Sequence, residues 1–130
     1  MKRTLGLTLL LFATLFSCMR QEKPLPAELS RAESVMWEHP DSALSILRSM
    51  PQSSLSIEKN YATWALLLAQ ARDKVYGKRL PDSLNIPSSD KLVQDAMDYF
   101  EKEGNLKRMA QTYYYKGQLL KDQKKITEAM

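Results

Sequence analysis

Two hydrophobic patterns divide this chain. An uncharged apolar run extends from Leu5 to Phe16, and beyond residue 26 apolar residues recur every three or four positions. The second spacing is typical of amphipathic helices, and no stretch alternates apolar and polar residues as a half-buried strand would. The pattern predicts helices over residues 27–38, 41–50, 56–76, 90–103 and 106–122, with a sixth only begun at 126–130. The sequence therefore predicts an all-α fold.

Helix-breaking residues separate these segments. Pro40 and Pro51 interrupt the first two connections, Gly77 is a natural stop for the long third helix, and a loop is predicted over residues 77–89. Most connections are short, and short connections make consecutive helices antiparallel neighbours. We therefore expect a series of antiparallel helical hairpins.

The N-terminal apolar run has the features of a signal peptide. Lys2 and Arg3 precede it, and it is shorter than the about 20 residues that a membrane-spanning helix needs. It ends in Leu15-Phe16-Ser17-Cys18, which resembles a bacterial lipobox although Phe16 is bulkier than usual at its position. The resemblance implies that residues 1–17 are a signal peptide, cleaved after Ser17, and that Cys18 is lipidated. The alternative is an ordinary signal peptide with a chance cysteine at its end.

Removal of residues 1–17 changes the charge balance. The full chain carries a formal net charge of +4, and loss of Lys2 and Arg3 lowers it to about +2. A near-neutral mature protein gives no reason to expect nucleic acid as a partner. Residues 18–26 are polar and contain two prolines, so they are predicted to form a lipidated Cys and flexible tether.

Small and aromatic residues recur at longer intervals in residues 27–130. Gly117 and Ala129 are twelve positions apart, Tyr113 precedes the glycine, and Ala96 with Phe100 forms a small-then-aromatic pair. In this spacing the chain resembles the tetratricopeptide repeat (TPR) family, although Lys116 stands where that family has leucine. The resemblance implies antiparallel helical hairpins in a TPR-like right-handed superhelical array.

Other segments are similar to repeat-containing lipoproteins of the Bacteroidota. They include Glu38-His39-Pro40-Asp41-Ser42-Ala43-Leu44, and Tyr113-Tyr114-Tyr115 before Gly117. In that group such repeats often form the exported sensing or scaffolding part of a longer protein. A repeat array also needs a partner helix and a polar cap after its last repeat. We therefore expect the 27–130 domain to be truncated at its C-terminus.

The repeat resemblance also implies a binding groove. First-helix positions that point away from the partner helix line the groove in that family. Carried over to this chain, the positions are Gln111, Tyr114, Gln118 and Lys121, with Ala62, Leu66 and Ala69 from an earlier repeat. Tyr114 is the expected anchor, since tyrosine is enriched at interface hot spots. The alternative is that Tyr114 packs within the array.

The sequence lacks a catalytic or metal-binding motif. It has one histidine, His39, which precedes Pro40 and is expected in a turn, and one cysteine, which is too few for a closed zinc site. We therefore expect no catalytic residues, metal or cofactor. The pairs Asp95/Asp98 and Glu101/Glu103 are expected to be solvated surface. The cations Arg72, Lys74, Lys78 and Arg79 are expected to form a solubilising face, with contact to anionic lipid as the alternative.

These expectations combine into one functional hypothesis. The chain is expected to be a lipoprotein of the bacterial cell envelope, anchored to a membrane through Cys18, and not an enzyme. Its repeats are expected to bind a protein or peptide as a scaffold, or as the sensing part of a signalling or regulatory protein. The alternative is a glycan- or nutrient-binding uptake lipoprotein of the outer membrane, which an exposed aromatic platform for sugar stacking would favour. Neither the ligand nor the membrane is identified by the sequence.

Overall fold

A computed structural model of the chain describes residues 24–77 and 88–129, with side chains up to Lys124. The described residues contain five α-helices and no strand, which confirms the all-α prediction for this part of the chain. The helices are α1 (Ala27–Val35), α2 (Pro40–Arg48), α3 (Glu58–Tyr76), α4 (Ser89–Glu103) and α5 (Leu106–Ala129), and a short 3₁₀ helix (Gln52–Leu55) precedes α3. The predicted signal peptide and Cys18 lie outside the described residues.

Local capping explains where most of these helices begin and end. Pro40 occupies the first turn of α2, where its missing N–H costs no hydrogen bond, and the Ser88 hydroxyl accepts the Lys91 N–H at the start of α4. Gly77 and Gly104 follow α3 and α4 with φ angles of 55° and 77°. Glycine adopts such angles without the steric cost of a side chain. The predicted stop at Gly77 is confirmed.

Consecutive helices pack on one another in chain order. The alternate pairs α1–α3 and α3–α5 are also in contact. Between them lies one core, in which α3 is buried on most sides from Ala62 to Arg72. Polar bonds reinforce the packing: the Trp64 Nε1–H donates to the Leu47 carbonyl at 2.8 Å, and the Tyr61 hydroxyl donates to Asp95 at 2.8 Å.

The last helix differs from its prediction in length. Residues 106–129 form one continuous α5, so the break expected after residue 122 and the separate helix expected at 126–130 are wrong within the described residues. No proline or glycine lies between Gly117 and Ala129 to interrupt the helix. Ala129 is thus on the same helix as Gly117, and the two do not form the first-helix and second-helix pair of one repeat.

The buried face of α5 carries Arg108, Thr112 and Tyr115, whereas Tyr113 and Leu120 are exposed. The cationic cluster is not the uniform solvated face that was expected, because Arg72 is buried with 3% of its surface exposed. Lys78 and Arg79 lie outside the described residues. Among the helices that the structure describes, none is both long and apolar enough to cross a bilayer.

Candidate functional site: a groove formed by alternate helices

A groove of about 370 Å³ opens on the side of the molecule where α1, α3 and α5 meet. Trp37 contributes from the turn after α1, and α3 and α5 form the two walls. The α3 wall consists of Gln70, Asp73 and Lys74, and the α5 wall of Ala110, Gln111, Tyr114 and Tyr115. The groove thus combines aromatic rings with amide and charged groups.

Trp37 is the most exposed aromatic residue of the groove. Its side chain is 76% exposed, although tryptophan usually buries most of its surface. The Lys74 ammonium lies 3.5 Å from the centre of the indole ring, in cation–π geometry. Lys74, which lies on α3, therefore holds the indole ring in position, while much of the ring stays accessible to solvent.

Tyr114 is the second exposed ring. It is 59% exposed, and its ring meets that of Tyr115 edge-to-face with centroids 5.1 Å apart. Its hydroxyl accepts a hydrogen bond from the Gln118 amide at 3.0 Å. Tyr114 therefore has a fixed orientation and an open face, which contradicts the alternative that it is packed within the array.

Tyr115 forms part of the groove floor. It is only 7% exposed, and its hydroxyl is hydrogen-bonded by Gln70 of α3. Burial, followed by the charge of Asp73, raises the pKa of Tyr115 to about 12. The phenol therefore stays neutral at physiological pH and provides a polar but uncharged floor.

Asp73 is the acidic group of this surface. Burial raises the pKa of its carboxyl above the ordinary value; nearby Asp122 raises it further, and Lys74 opposes the shift. Asp73 and Tyr115 also line a smaller adjacent cavity of about 40 Å³, together with Gln118 and Asp122. A carboxylate therefore lies where the two cavities adjoin.

The predicted groove residues fall into two groups. Gln111 and Tyr114 line the groove, Gln118 lines the adjacent cavity, and Lys121 is exposed further along α5. Ala62, Leu66 and Ala69 are instead buried in the core, with at most 4% of their surface exposed. Ala62 borders a cavity with Tyr61 and Asp95, and Ala69 lines the adjacent cavity with Asp73 and Gln118. The groove residues Gln70 and Lys74 lie on the neighbouring face of α3.

Sequence reasoning missed Trp37, Gln70 and Lys74 as groove residues. Trp37 lies between the end of α1 and the His39-Pro40 turn, where it does not continue the apolar stripe of the helix. A large aromatic residue outside the apolar stripe is the one sequence feature that would have indicated Trp37 as a groove residue. His39 itself is exposed before α2, as expected of a turn residue.

The groove carries aromatic, amide and charged groups that can bind a ligand. Within residues 24–77 and 88–129, no three His, Cys, Asp or Glu side chains are grouped so as to hold a metal ion. The predicted surface carboxylates are partly corrected: Asp98 and Glu101 are exposed, but Asp95 is half-buried and accepts hydrogen bonds from Tyr61 and Lys91. It ties α3 to α4 rather than facing the groove.

Comparison with known proteins returned no match to a family model, a curated protein or a solved structure.

Proposed function

We propose that this protein is a lipid-anchored scaffold of the bacterial cell envelope that binds a segment of another protein in the groove between α1, α3 and α5. The proposal keeps the TPR-like, right-handed superhelical arrangement and attachment to the membrane through lipidated Cys18. A sensing role in a signalling protein is its more specific form.

The observation that carries the proposal is the pairing of Trp37 and Tyr114 across one groove. Both rings are more than half exposed, and the surrounding Gln70, Gln111 and Asp73 supply hydrogen-bonding groups. Interface hot spots are enriched in tryptophan and tyrosine, because each buries a large area at a small cost in side-chain entropy. A peptide laid in this groove would cover both rings and find polar partners for its backbone.

The order of the helices supports the repeat arrangement. The groove is lined by α3 and α5 and by Trp37 in the turn after α1, and in this arrangement α1, α3 and α5 are the first helices of successive hairpins. The alternate contacts α1–α3 and α3–α5 agree with stacked hairpins. These contacts support the proposed repeat arrangement.

Glycan binding is the second candidate. The exposed face of Trp37, next to amide side chains, is the aromatic platform that this alternative needs. Aromatic rings stack on the apolar faces of sugars, while amides bond their hydroxyls. A glycan array probed with the purified protein would favour this function if binding were lost in Trp37→Ala and no protein partner were found.

Site-specific photo-crosslinking in cells tests the protein-binding function. A photoreactive amino acid at position 114 lies in the groove, and one at position 41 is exposed on α2, outside it. We expect a discrete crosslinked protein from position 114, absent from position 41, and lost when Trp37→Ala is added. Equal crosslinking from both positions would contradict a groove-specific partner.

Lipid attachment needs its own test, because groove binding does not depend on it. We expect the wild-type chain to incorporate a labelled fatty acid and to sediment with membranes, and Cys18→Ser to lose the label. Labelling that persists in Cys18→Ser would reject the anchor and leave the groove proposal intact.

A further inference from the structure

The outward side of α5 carries an apolar stripe that no part of the described chain covers. Leu106, Tyr113 and Leu120 are 79%, 51% and 53% exposed. They are seven residues apart, which places them on one face of the helix, opposite buried Thr112 and Tyr115. The stripe is about 21 Å long at 1.5 Å per residue. We call it the outer α5 stripe.

Gly117 lies within the outer α5 stripe, between Tyr113 and Leu120. It is exposed in the middle of a helix, and its φ is not positive, unlike that of Gly77 and Gly104. A Cβ at position 117 would meet no atom within 4 Å. Glycine weakens a helix interior, and here nothing in the described chain requires it. A glycine between two large apolar residues does allow another backbone to approach closely.

The charges beside the stripe are basic. Lys107 and Lys121 are exposed on one flank of the stripe, and Lys116 lies on the other flank, 4.0 Å from Asp90. The neighbouring acid is Glu101 of α4, which accepts a hydrogen bond from the Tyr113 hydroxyl. A partner that carries acidic residues beside its apolar stripe would therefore gain attraction along most of the contact.

The same charges argue against a second copy of this chain as the occupant. An antiparallel pair centred near Tyr113 would bring Lys107 of one copy close to Lys121 of the other. A parallel pair would set the flank with Lys107 and Lys121 against the flank of the other copy that carries Lys116. Like charges in contact are unfavourable.

We propose that the outer α5 stripe binds an amphipathic α-helix of another protein, packed closely at Gly117 and flanked by acidic residues. The stripe residues Leu106, Tyr113 and Leu120 do not line the groove, whose α5 wall consists of Ala110, Gln111, Tyr114 and Tyr115. The proposal does not rest on the proposed groove function, and either can fail alone.

Two synthetic helical peptides test the proposal on the full-length chain purified in a non-ionic detergent. Both carry the same leucine stripe, flanked by glutamates in one peptide and by lysines in the other. By fluorescence anisotropy we expect the glutamate peptide to bind at least tenfold more tightly, and its affinity to fall with added salt. Failure of both peptides to bind, or equal binding of the two, would overturn the proposal.

Variants locate the contact. Gly117→Leu should weaken binding of the glutamate peptide at least tenfold, because its side chain would hold the two backbones apart. Ser45→Leu, which adds the same side chain at an exposed position of α2, should leave binding unchanged. The double variant Lys107→Glu/Lys121→Glu should reverse the preference and favour the lysine peptide. Circular dichroism establishes that each variant folds.

Two further measurements identify other occupants. A second copy would cover the stripe if the sedimentation coefficient rose with protein concentration and Gly117→Leu abolished that rise. A lipid surface is tested with a Cys18→Ser chain, which carries no lipid on that residue. This chain would float with phosphatidylglycerol-containing vesicles but not with phosphatidylcholine vesicles if lipid covered the stripe. The double variant Tyr113→Ser/Leu120→Ser would then lose the flotation. Either result would overturn the proposal of an acidic helix.

Discussion

The Arg108 guanidinium donates two hydrogen bonds to the Glu33 carboxylate, at 2.8 and 3.0 Å, although the residues are 75 positions apart in the chain. The pair joins α1 to α5. Arg108 also donates to the Gln111 side chain at 3.1 Å. Because Gln111 lines the groove, the ion pair fixes one wall of the proposed binding surface.

We predict that this ion pair contributes measurably to stability. Arg108 is buried and Glu33 is half-buried, and bidentate arginine–carboxylate pairs are stronger than ordinary surface pairs. In a double-mutant cycle with Glu33→Gln and Arg108→Met, we expect a coupling energy of about 1–2 kcal/mol from urea unfolding.

The i,i+4 pair Lys91–Asp95 is the matched control for this cycle, because its lysine is well exposed. Its coupling energy should be smaller than that of the Glu33–Arg108 pair, because solvent screens an exposed ion pair. Equal coupling energies in the two cycles would mean that burial of Arg108 does not strengthen its ion pair with Glu33.

The Tyr61–Asp95 bond predicts a change in acid stability. Burial raises the pKa of the Asp95 carboxyl, but hydrogen bonds from Lys91 and Tyr61 outweigh it, so the pKa lies below its ordinary value. A depressed carboxyl pKa stabilises the fold at neutral pH, and this stability is lost as the pH falls through the folded pKa. Tyr61→Phe should therefore lower stability at pH 7 and flatten its decline below about pH 4.

Urea unfolding of Tyr61→Phe between pH 2 and 7 measures this effect. Tyr99→Phe is a suitable control, because Tyr99 lines the same cavity as Tyr61 and Asp95 and packs edge-to-face on Phe100. An acid profile of Tyr61→Phe that runs parallel to that of the wild type would contradict the assigned role of the bond.

Tyr115 predicts a loss of stability at alkaline pH. Its pKa is raised to about 12 by burial, and a phenol exposed by unfolding titrates near 10. Between these values the folded state binds more protons than the unfolded state, so stability falls as the pH rises from about 10 toward 12. Tyr115→Phe should remove this part of the alkaline decline. Thermal melting between pH 8 and 11.5 tests it, and Tyr114→Phe, whose ring is exposed, is the control.

The helices could be predicted because their boundaries depend on nearby residues. Pro40, Gly77 and Gly104 act through local backbone geometry, and the structure places a helix boundary at each of them. The continuous α5 was missed because the repeat resemblance required a break where the local sequence contains no helix breaker. Local chemistry decides helix length there.

The buried face of α5 and the groove could not be read from periodicity. Tyr113, Tyr114 and Tyr115 are consecutive, so the pattern offers an aromatic residue to three different faces of the helix. Which of these faces is buried depends on Gln70, which forms a hydrogen bond with Tyr115, and on Glu33, which pairs with Arg108 on the same side of α5. Both partners are distant in sequence. Gln111 and Tyr114 line the groove, whereas Ala62, Leu66 and Ala69 of α3, which the resemblance also implied, are buried.

Gly117 predicts a substitution that stabilises the fold. It has a helical environment, an exposed position and open space where a Cβ would lie, so alanine should fit without strain. Gly117→Ala should raise the free energy of unfolding by about 0.5–1 kcal/mol, because alanine loses less backbone entropy in a helix. Gly104→Ala should instead destabilise the protein, since its φ of 77° disfavours a side chain. Urea unfolding of both variants measures the contrast. A destabilised Gly117→Ala would show that the glycine has a structural role within the chain, and it would remove the reason for assigning that glycine to a partner helix.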